Sequence, residues 1–229
     1  MKVNPIKDVF FDLDHTLWDF DKNSELAFGR IFDESHPSIA INNFIEAYIP
    51  INQSCWKLFQ YNKISHEELR YNRLKYSFDA LEYSISDVEI NRISERYIDL
   101  LPENNHLFDG AFEILDYLKS KYRLHIITNG FAEVQYKKMH NAQLTPYFTT
   151  ITNSEMAGVK KPNPVIFEYA LDLAKAKKES SIMIGDSLDA DVQGALDVGL
   201  DAIFFNENKS ATFPDIKQIN HLLELKKYL

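Results

Sequence analysis

Apolar residues fall into two regimes along this chain. Val9-Phe10-Phe11, Leu124-His125-Ile126-Ile127-Thr128, Ser181-Ile182-Met183-Ile184 and Ala202-Ile203-Phe204-Phe205 are short, nearly unbroken runs, with Thr149-Thr150-Ile151 a weaker one. Such runs predict strands buried on both faces. Between them the spacing turns helical. Ala111 to Lys121 carries Ile114, Leu115 and Leu118 on one side, and Phe131 to Asn141, Pro164 to Lys175 and Val192 to Val198 follow, Pro164 suiting a first turn. Strands alternating with helices imply right-handed crossovers and a Rossmann-like α/β core, a mostly parallel sheet with helices on both faces.

After the first strand the pattern is different. The chain has seven glycines, yet none from Arg30 to Asp109. Ile41 to Tyr48, Glu67 to Phe78 (through Leu69, Leu74 and Phe78) and Asp87 to Leu101 have helical apolar spacing, with Ser86 or Asp87 as N-cap. Pro37, Pro50 and Pro102 punctuate the segment. The expectation is an all-helical domain over residues 19–102, inserted into a core made of residues 1–18 and 103–229.

Candidate chemistry gathers where the strands end. Asp12 and Asp14 follow the first run, and residues i and i+2 of an extended chain point the same way. Two close carboxylates disfavour each other's ionisation, a conflict that a dication or a shared proton resolves. An ordinary acidic turn is the plainer alternative. Thr128-Asn129-Gly130 offers a hydroxyl, an amide and an unencumbered N–H for phosphate oxygens. Gly158-Val159-Lys160-Lys161-Pro162 adds a cation, and Gly185-Asp186-Ser187 a third carboxylate suited to Mg²⁺. In a parallel α/β sheet, ligands sit beyond these strand ends.

Composition narrows the partners. A net charge of −9 argues against a nucleic-acid-binding face but not against a small phosphorylated substrate. No apolar run reaches membrane-spanning length, and Met1-Lys2-Val3-Asn4-Pro5 leads into the first strand without the apolar stretch of a signal peptide. Cys55, the single cysteine, cannot form an intrachain disulfide, so a cytoplasmic location is expected.

Together these motifs resemble those of haloacid dehalogenase-superfamily phosphohydrolases. Asp12-Leu13-Asp14-His15-Thr16 is similar to the D-x-D-x-T motif, and Thr128 to the second-motif Ser/Thr. Lys161-Pro162 is similar to the third motif, and Gly185-Asp186-Ser187 with Asp191 to the fourth. The insert then corresponds to a helical type 1 cap. Ile127-Thr128-Asn129-Gly130-Phe131 and Gly158 to Phe167 further resemble the pyrimidine 5′-nucleotidase subgroup.

The resemblance implies a Mg²⁺-dependent phosphomonoester hydrolase. Asp12 would form an aspartyl-phosphate, Asp14 would act as acid and then base, and Lys161 would offset charge. Mg²⁺ would be held by Asp12, the Asp14 carbonyl and Asp186, with Asp191 in the surrounding layer. Thr128, Asn129, Gly130 and Lys161 would hold phosphate. The expected substrate is a pyrimidine nucleoside monophosphate. A sugar-phosphate phosphatase, such as an acylneuraminate-9-phosphate phosphatase type, or a phosphomutase is the alternative. Retention of both aspartates disfavours a 2-haloacid dehalogenase or a non-catalytic binding protein. Trp56, Phe59 and Tyr61 in the insert are candidates for stacking on a base, with Asn52 and Lys63 as polar candidates, although aromatics at helical spacing also build cores. Asp191 has its own plain reading, a first-turn acid behind an Asp189 N-cap. Ser187 reads as a capping hydroxyl, Lys160 as a solvated neighbour, and His15 carries no assigned chemistry.

Overall fold

The computed structural model describes residues 5–36, 38–207, 209 and 213–229. Met1 to Asn4 and Pro37 lie outside the described residues. Strand β1 (Asp8–Phe11) is buried along its whole length, as a central strand covered on both faces must be. It joins β2 (Arg123–Thr128), β3 (Thr150–Asn153), β4 (Ser181–Gly185), β5 (Asp201–Phe205) and β6 (Gln218–Ile219) in one sheet. The order is β3-β2-β1-β4-β5-β6, and every neighbouring pair is parallel.

Helices α1 (Phe20–Ser35), α2 (Ile41–Gln60), α3 (His66–Ala80) and α4 (Asp87–Leu100) lie between β1 and β2, followed by α5 (Ala111–Lys119). Then come α6 (Ala132–Asn141) after β2, short α7 (Ser154–Ala157) after β3 and α8 (Pro164–Ala174) before β4. A π-helical turn, Leu188–Gln193, runs into α9 (Gly194–Val198) before β5. Phe10, Ile127, Met183 and Phe204 of the strands pack with Ile166, Phe167 and Ala170 of α8 and with Val192 and Ala195. Ile114, Leu115 and Leu118 of α5 are buried, and that helix packs on β2 and the closing 3₁₀ turn Leu222–Lys227.

Register positions the site. Phe11, the last residue of β1, stands opposite Ile126 on one side and Ile184 on the other, so β1 ends just short of its two neighbours. Asp12 is thereby delivered beside Ile127 and Gly185. From β1 the sheet grows in both directions, to β2 and to β4, which makes this strand end the switch point where open α/β sheets form their crevice.

The chain divides into two compact units, Met1–Asp19 with His106–Leu229, and Phe20–Asn105. In the first unit, the segments where the chain departs and returns lie side by side. The Asp19 N–H donates to the His106 carbonyl at 3.0 Å, and the Phe108 N–H to the Leu17 carbonyl at 3.0 Å.

The helical unit has an aromatic core. Phe28 stacks on Tyr97 and makes edge or tilted contacts with Tyr48 and Phe44, while Phe32 and Phe78 meet Phe44. Ser86 caps α4 by accepting from the Glu89 N–H, leaving Asp87 in the first turn. Ser65 and Glu68 form a reciprocal capping box on α3.

The chain departs from the sequence expectation at several points. Pro50 does not end a helix: α2 runs through it, because Phe44, Tyr48, Asn52, Cys55 and Phe59 continue one buried stripe across the proline. That burial outweighs the lost N–H bond. Helix α1 is an additional element, whose buried stripe includes Asn23 and Ser24 beside Ala27, Phe28, Ile31 and Phe32. Strand β6 is additional too, and is only two residues long.

Candidate active site

The strand ends bring four charged groups together. Asp12, Asp186 and Asp191 each offer a carboxylate oxygen, all within 4.8 Å of one another. The Lys161 ammonium lies among them and spends its three protons on Asp12 Oδ1 at 2.6 Å, Asp191 Oδ1 at 2.6 Å and the Ile127 carbonyl at 2.7 Å. Thr16 Oγ1 donates to Asp186 Oδ1 at 3.3 Å.

Asp191 reaches this cluster from the π-helical turn. Its second oxygen accepts from the Ser187 N–H at 3.0 Å, and Ser187 Oγ caps the turn by accepting from the Ala190 N–H. The first-turn-acid reading with Asp189 as N-cap is therefore corrected: Ser187 is the cap, and Asp191 is buried in an ion pair. Gly185 makes room for it, since a Cβ there would stand 2.2 Å from Asp191 Oδ2.

Three carboxylates against one ammonium leave a net formal charge of about −2 in a buried site. Burial pushes the Asp12 carboxyl well above its ordinary range; Lys161 opposes this, and Asp191 and Asp186 add to it. Burial likewise pushes Asp186 up to about 8, reinforced by Asp191 and opposed by Lys161. Burial alone would lower the Lys161 pKa, but Asp12 and Asp191 outweigh it and hold the ammonium above the usual lysine value. An all-oxygen, over-negative donor set whose carboxyls burial and one another push upward fits a hard dication such as Mg²⁺.

Asp14 is held apart from the cluster. Its Oδ1 accepts from Lys138 Nζ at 2.6 Å and its Oδ2 from Gln135 Nε2 at 2.8 Å. Gln135 Nε2 also donates to Thr128 Oγ1 at 2.7 Å, and the Gly130 N–H donates to the same hydroxyl at 3.1 Å. Thr128 Oγ1 thus accepts twice, which directs its own proton toward an acceptor such as a phosphate oxygen.

A family description reading haloacid dehalogenase-like hydrolase matches residues 9–205. The chain belongs to that family. It is 32% identical over 212 residues to the HAD-hydrolase YfnB of Bacillus subtilis, an alignment covering 91% of this chain and 87% of that protein. A crystal structure of YfnB bound to magnesium superposes with a TM-score of 0.87 at 30% identity, covering 99% of each chain. The pyrimidine 5′-nucleotidase PynA of Streptococcus pneumoniae is 33% identical over 205 residues, covering 87% of this chain and 84% of that one. A glyceraldehyde 3-phosphate phosphatase of Pyrococcus furiosus is 32% identical over 216 residues, covering 90% and 83%.

Other expected residues of this hydrolase fall into place unevenly. The Asn129 side chain is committed to the neighbouring loop, donating to the Lys161 carbonyl at 3.0 Å and accepting from the Lys161 N–H at 2.7 Å. What it offers a ligand is therefore its backbone. Lys160 is half-buried, and burial lowers its pKa. His15 adopts a left-handed conformation with φ of 59°, so its part is in the turn. In the helical unit, Phe59 is buried and meets half-buried Trp56 edge-on, whereas Tyr61 and Lys63 are exposed.

Sequence reasoning missed Gln135 and Lys138. Both are buried on the face of α6 that also buries Val134 and Met139, one helical turn apart. The Lys138 ammonium sits 4.1 Å from the centroid of a Trp18 ring, which helps to hold it out of water. A polar i, i+3 pair bracketed by core residues was the available signal.

Proposed function

We propose that this phosphoric monoester hydrolase works through a phosphorylated Asp12, with Mg²⁺ as cofactor and a small phosphorylated metabolite as substrate. The observation that carries the reading is the sorting of two carboxylates two residues apart. Asp12 lies among Lys161, Asp186 and Asp191, whereas Asp14 is clamped by Lys138 and Gln135. That division suits a nucleophile and a separate proton carrier.

In this reading Asp12 attacks phosphorus, the P–O bond to the leaving group breaks, and Asp14 protonates the departing alkoxide. Asp14 then takes a proton from the water that attacks the aspartyl-phosphate, releasing phosphate and restoring Asp12. The Thr128 hydroxyl and the backbone N–H groups after β2 hold the equatorial oxygens, and Lys161 keeps Asp12 and Asp191 oriented. Bound Mg²⁺, held by Asp12, Asp186 and the Asp14 carbonyl with Asp191 alongside, would supply the positive charge that lets a dianion approach a carboxylate. A dehalogenase attacking carbon would have no leaving alkoxide for Asp14 to protonate.

For the substrate we favour pyrimidine nucleoside monophosphates, supported by PynA at 33% identity. Triose phosphates are the second reading, supported by the Pyrococcus furiosus phosphatase at 32%. Recognition of the non-phosphate part is assigned to the helical unit, where Trp56, Phe59 and Tyr61 are the aromatic candidates. Among the described residues no helix is long and apolar enough to cross a membrane.

The test pairs substrates with two variants. With Mg²⁺, the protein should hydrolyse aryl phosphate and prefer cytidine and uridine monophosphates to purine nucleotides and glyceraldehyde 3-phosphate. Asp12→Asn should abolish phosphoenzyme, and Asp14→Asn should lose ~10²–10⁴-fold in rate, less for leaving groups that need little protonation. Trapping the phosphate on another residue, or full activity in EDTA, would overturn the mechanism.

A further inference from the structure

The helical unit buries a cation that the chemistry above does not use. Arg73, on α3, is 2% exposed, and among the described residues no carboxylate pairs with it. Its Nη1 makes one long contact, 3.5 Å to Asn52 Oδ1, and its guanidinium carbon lies 5.0 Å from the Tyr97 ring centroid. Nε and Nη2 are both buried and have no hydrogen-bond partner.

Those two nitrogens are not scattered orphans. Nε–H and one Nη2–H project in parallel from the same edge of the planar guanidinium, the fork that meets two adjacent acceptors at once. A buried charge with an idle bidentate edge is costly unless something fills it. The surroundings are polar where they meet the fork's neighbours: Tyr48 OH donates to Asn52 Oδ1 at 3.3 Å and lies 3.4 Å from Tyr97 OH, and Ser24 Oγ lies 2.8 Å from Tyr97 OH. This chain of hydroxyls ends at Asn52 and leaves the Arg73 edge unserved.

We propose that the Nε/Nη2 edge of Arg73 is a ligand-binding edge of the helical unit, taking a paired acceptor on the non-reacting end of a phosphomonoester. Two groups have that chemistry, a carboxylate or second phosphate and the adjacent O2 and N3 of a cytosine ring. The proposal rests on the phosphomonoesterase reading and adds to it the group that selects the substrate. Arg73, with Asn52 fixing its far edge, is then a specificity residue distinct from Trp56, Phe59 and Tyr61.

The test compares the full-length parent with Arg73→Met and Arg73→Lys in Mg²⁺. The substrates are cytidine 5′-monophosphate, 3-phosphoglycerate and phenyl phosphate, which lacks a second acceptor pair. Arg73→Met should lose about 10- to 100-fold in kcat/KM on cytidine monophosphate or on phosphoglycerate, and whichever falls identifies the acceptor. It should keep phenyl phosphate hydrolysis within about twofold and melt no lower than the parent, since an apolar side chain replaces an unpaired buried charge. Arg73→Lys should share the selective loss, because an ammonium has no fork. Equal losses on all three substrates with a lower melting temperature, no change on any, or full rescue by lysine would each overturn the proposal. A parent inert toward phenyl phosphate would instead refute the phosphatase reading itself.

Discussion

Replacing Lys161 by methionine isolates the electrostatics of the site from its catalysis. The ammonium is 2% exposed and bonds Asp12, Asp191 and the Ile127 carbonyl at 2.6, 2.6 and 2.7 Å. Methionine keeps most of the volume and removes the charge, leaving buried Asp12 and Asp191, half-buried Asp186 and an unserved carbonyl. Removing one partner from a buried ion pair costs ~3–5 kcal/mol. For a chain of 229 residues, each kcal/mol moves the melting temperature by ~2–4 °C, so the metal-free variant should melt ~6–20 °C lower. The deficit should be greater at pH 8 than at pH 6, since the raised carboxyls of Asp12 and Asp186 take up protons at the lower pH and relieve the repulsion. Metal should then reverse the order of the two proteins' responses. With the competing cation gone, Mg²⁺ affinity should rise by about tenfold or more, although hydrolysis is lost. Thermal melts in EDTA and across a Mg²⁺ titration measure both quantities. A variant that Mg²⁺ stabilises no more than it does the parent would refute the account of Lys161 as an internal counterion sharing its carboxylates with a metal.

Two further outcomes follow from named contacts. Native Asp186 holds its proton up to about pH 8, whereas the unfolded chain releases it near the ordinary value of 3.8. Between those values folding therefore retains a proton, and metal-free stability should fall as pH rises toward 8, with Mg²⁺ flattening the slope; an EDTA melting temperature that rises steadily from pH 5 to 8 would contradict this. Lys138→Met removes a charge-assisted bond of 2.6 Å from Asp14 while leaving Gln135 in place. It should cut kcat by about 10- to 100-fold with a small change in KM, more for alkyl than for aryl phosphates, and equal effects on both leaving groups would argue against a role through Asp14.

The parts legible in the sequence were those where one residue's neighbours decide its fate. Val9-Phe10-Phe11 and Ile182-Met183-Ile184 are apolar whichever way they face, so their strands could be read directly, and Asp12 and Asp186 were found because they end them. Gln135, Lys138 and Arg73 were hidden for the opposite reason. Each looks like an ordinary polar helix residue, and only tertiary packing turns it inward. Helix α1 escaped because Asn23 and Ser24 occupy its buried stripe. Pro50 misled because a proline's local penalty was weighed without the long buried stripe that offsets it.

The adjacency of Asp19 with His106 and of Leu17 with Phe108 has a consequence for how such a protein can change over time. An insertion whose two ends are already stitched together adds little to the entropy of closing the loop that holds it. The sheet, with its carboxylates and lysine, can therefore keep its geometry while the inserted helices lengthen, shorten or exchange their aromatic and cationic residues. On the proposed division of labour, drift in residues 20–105 would explore new substrates without disturbing the reacting groups, and a lineage could diversify its diet while its catalytic machinery stands still.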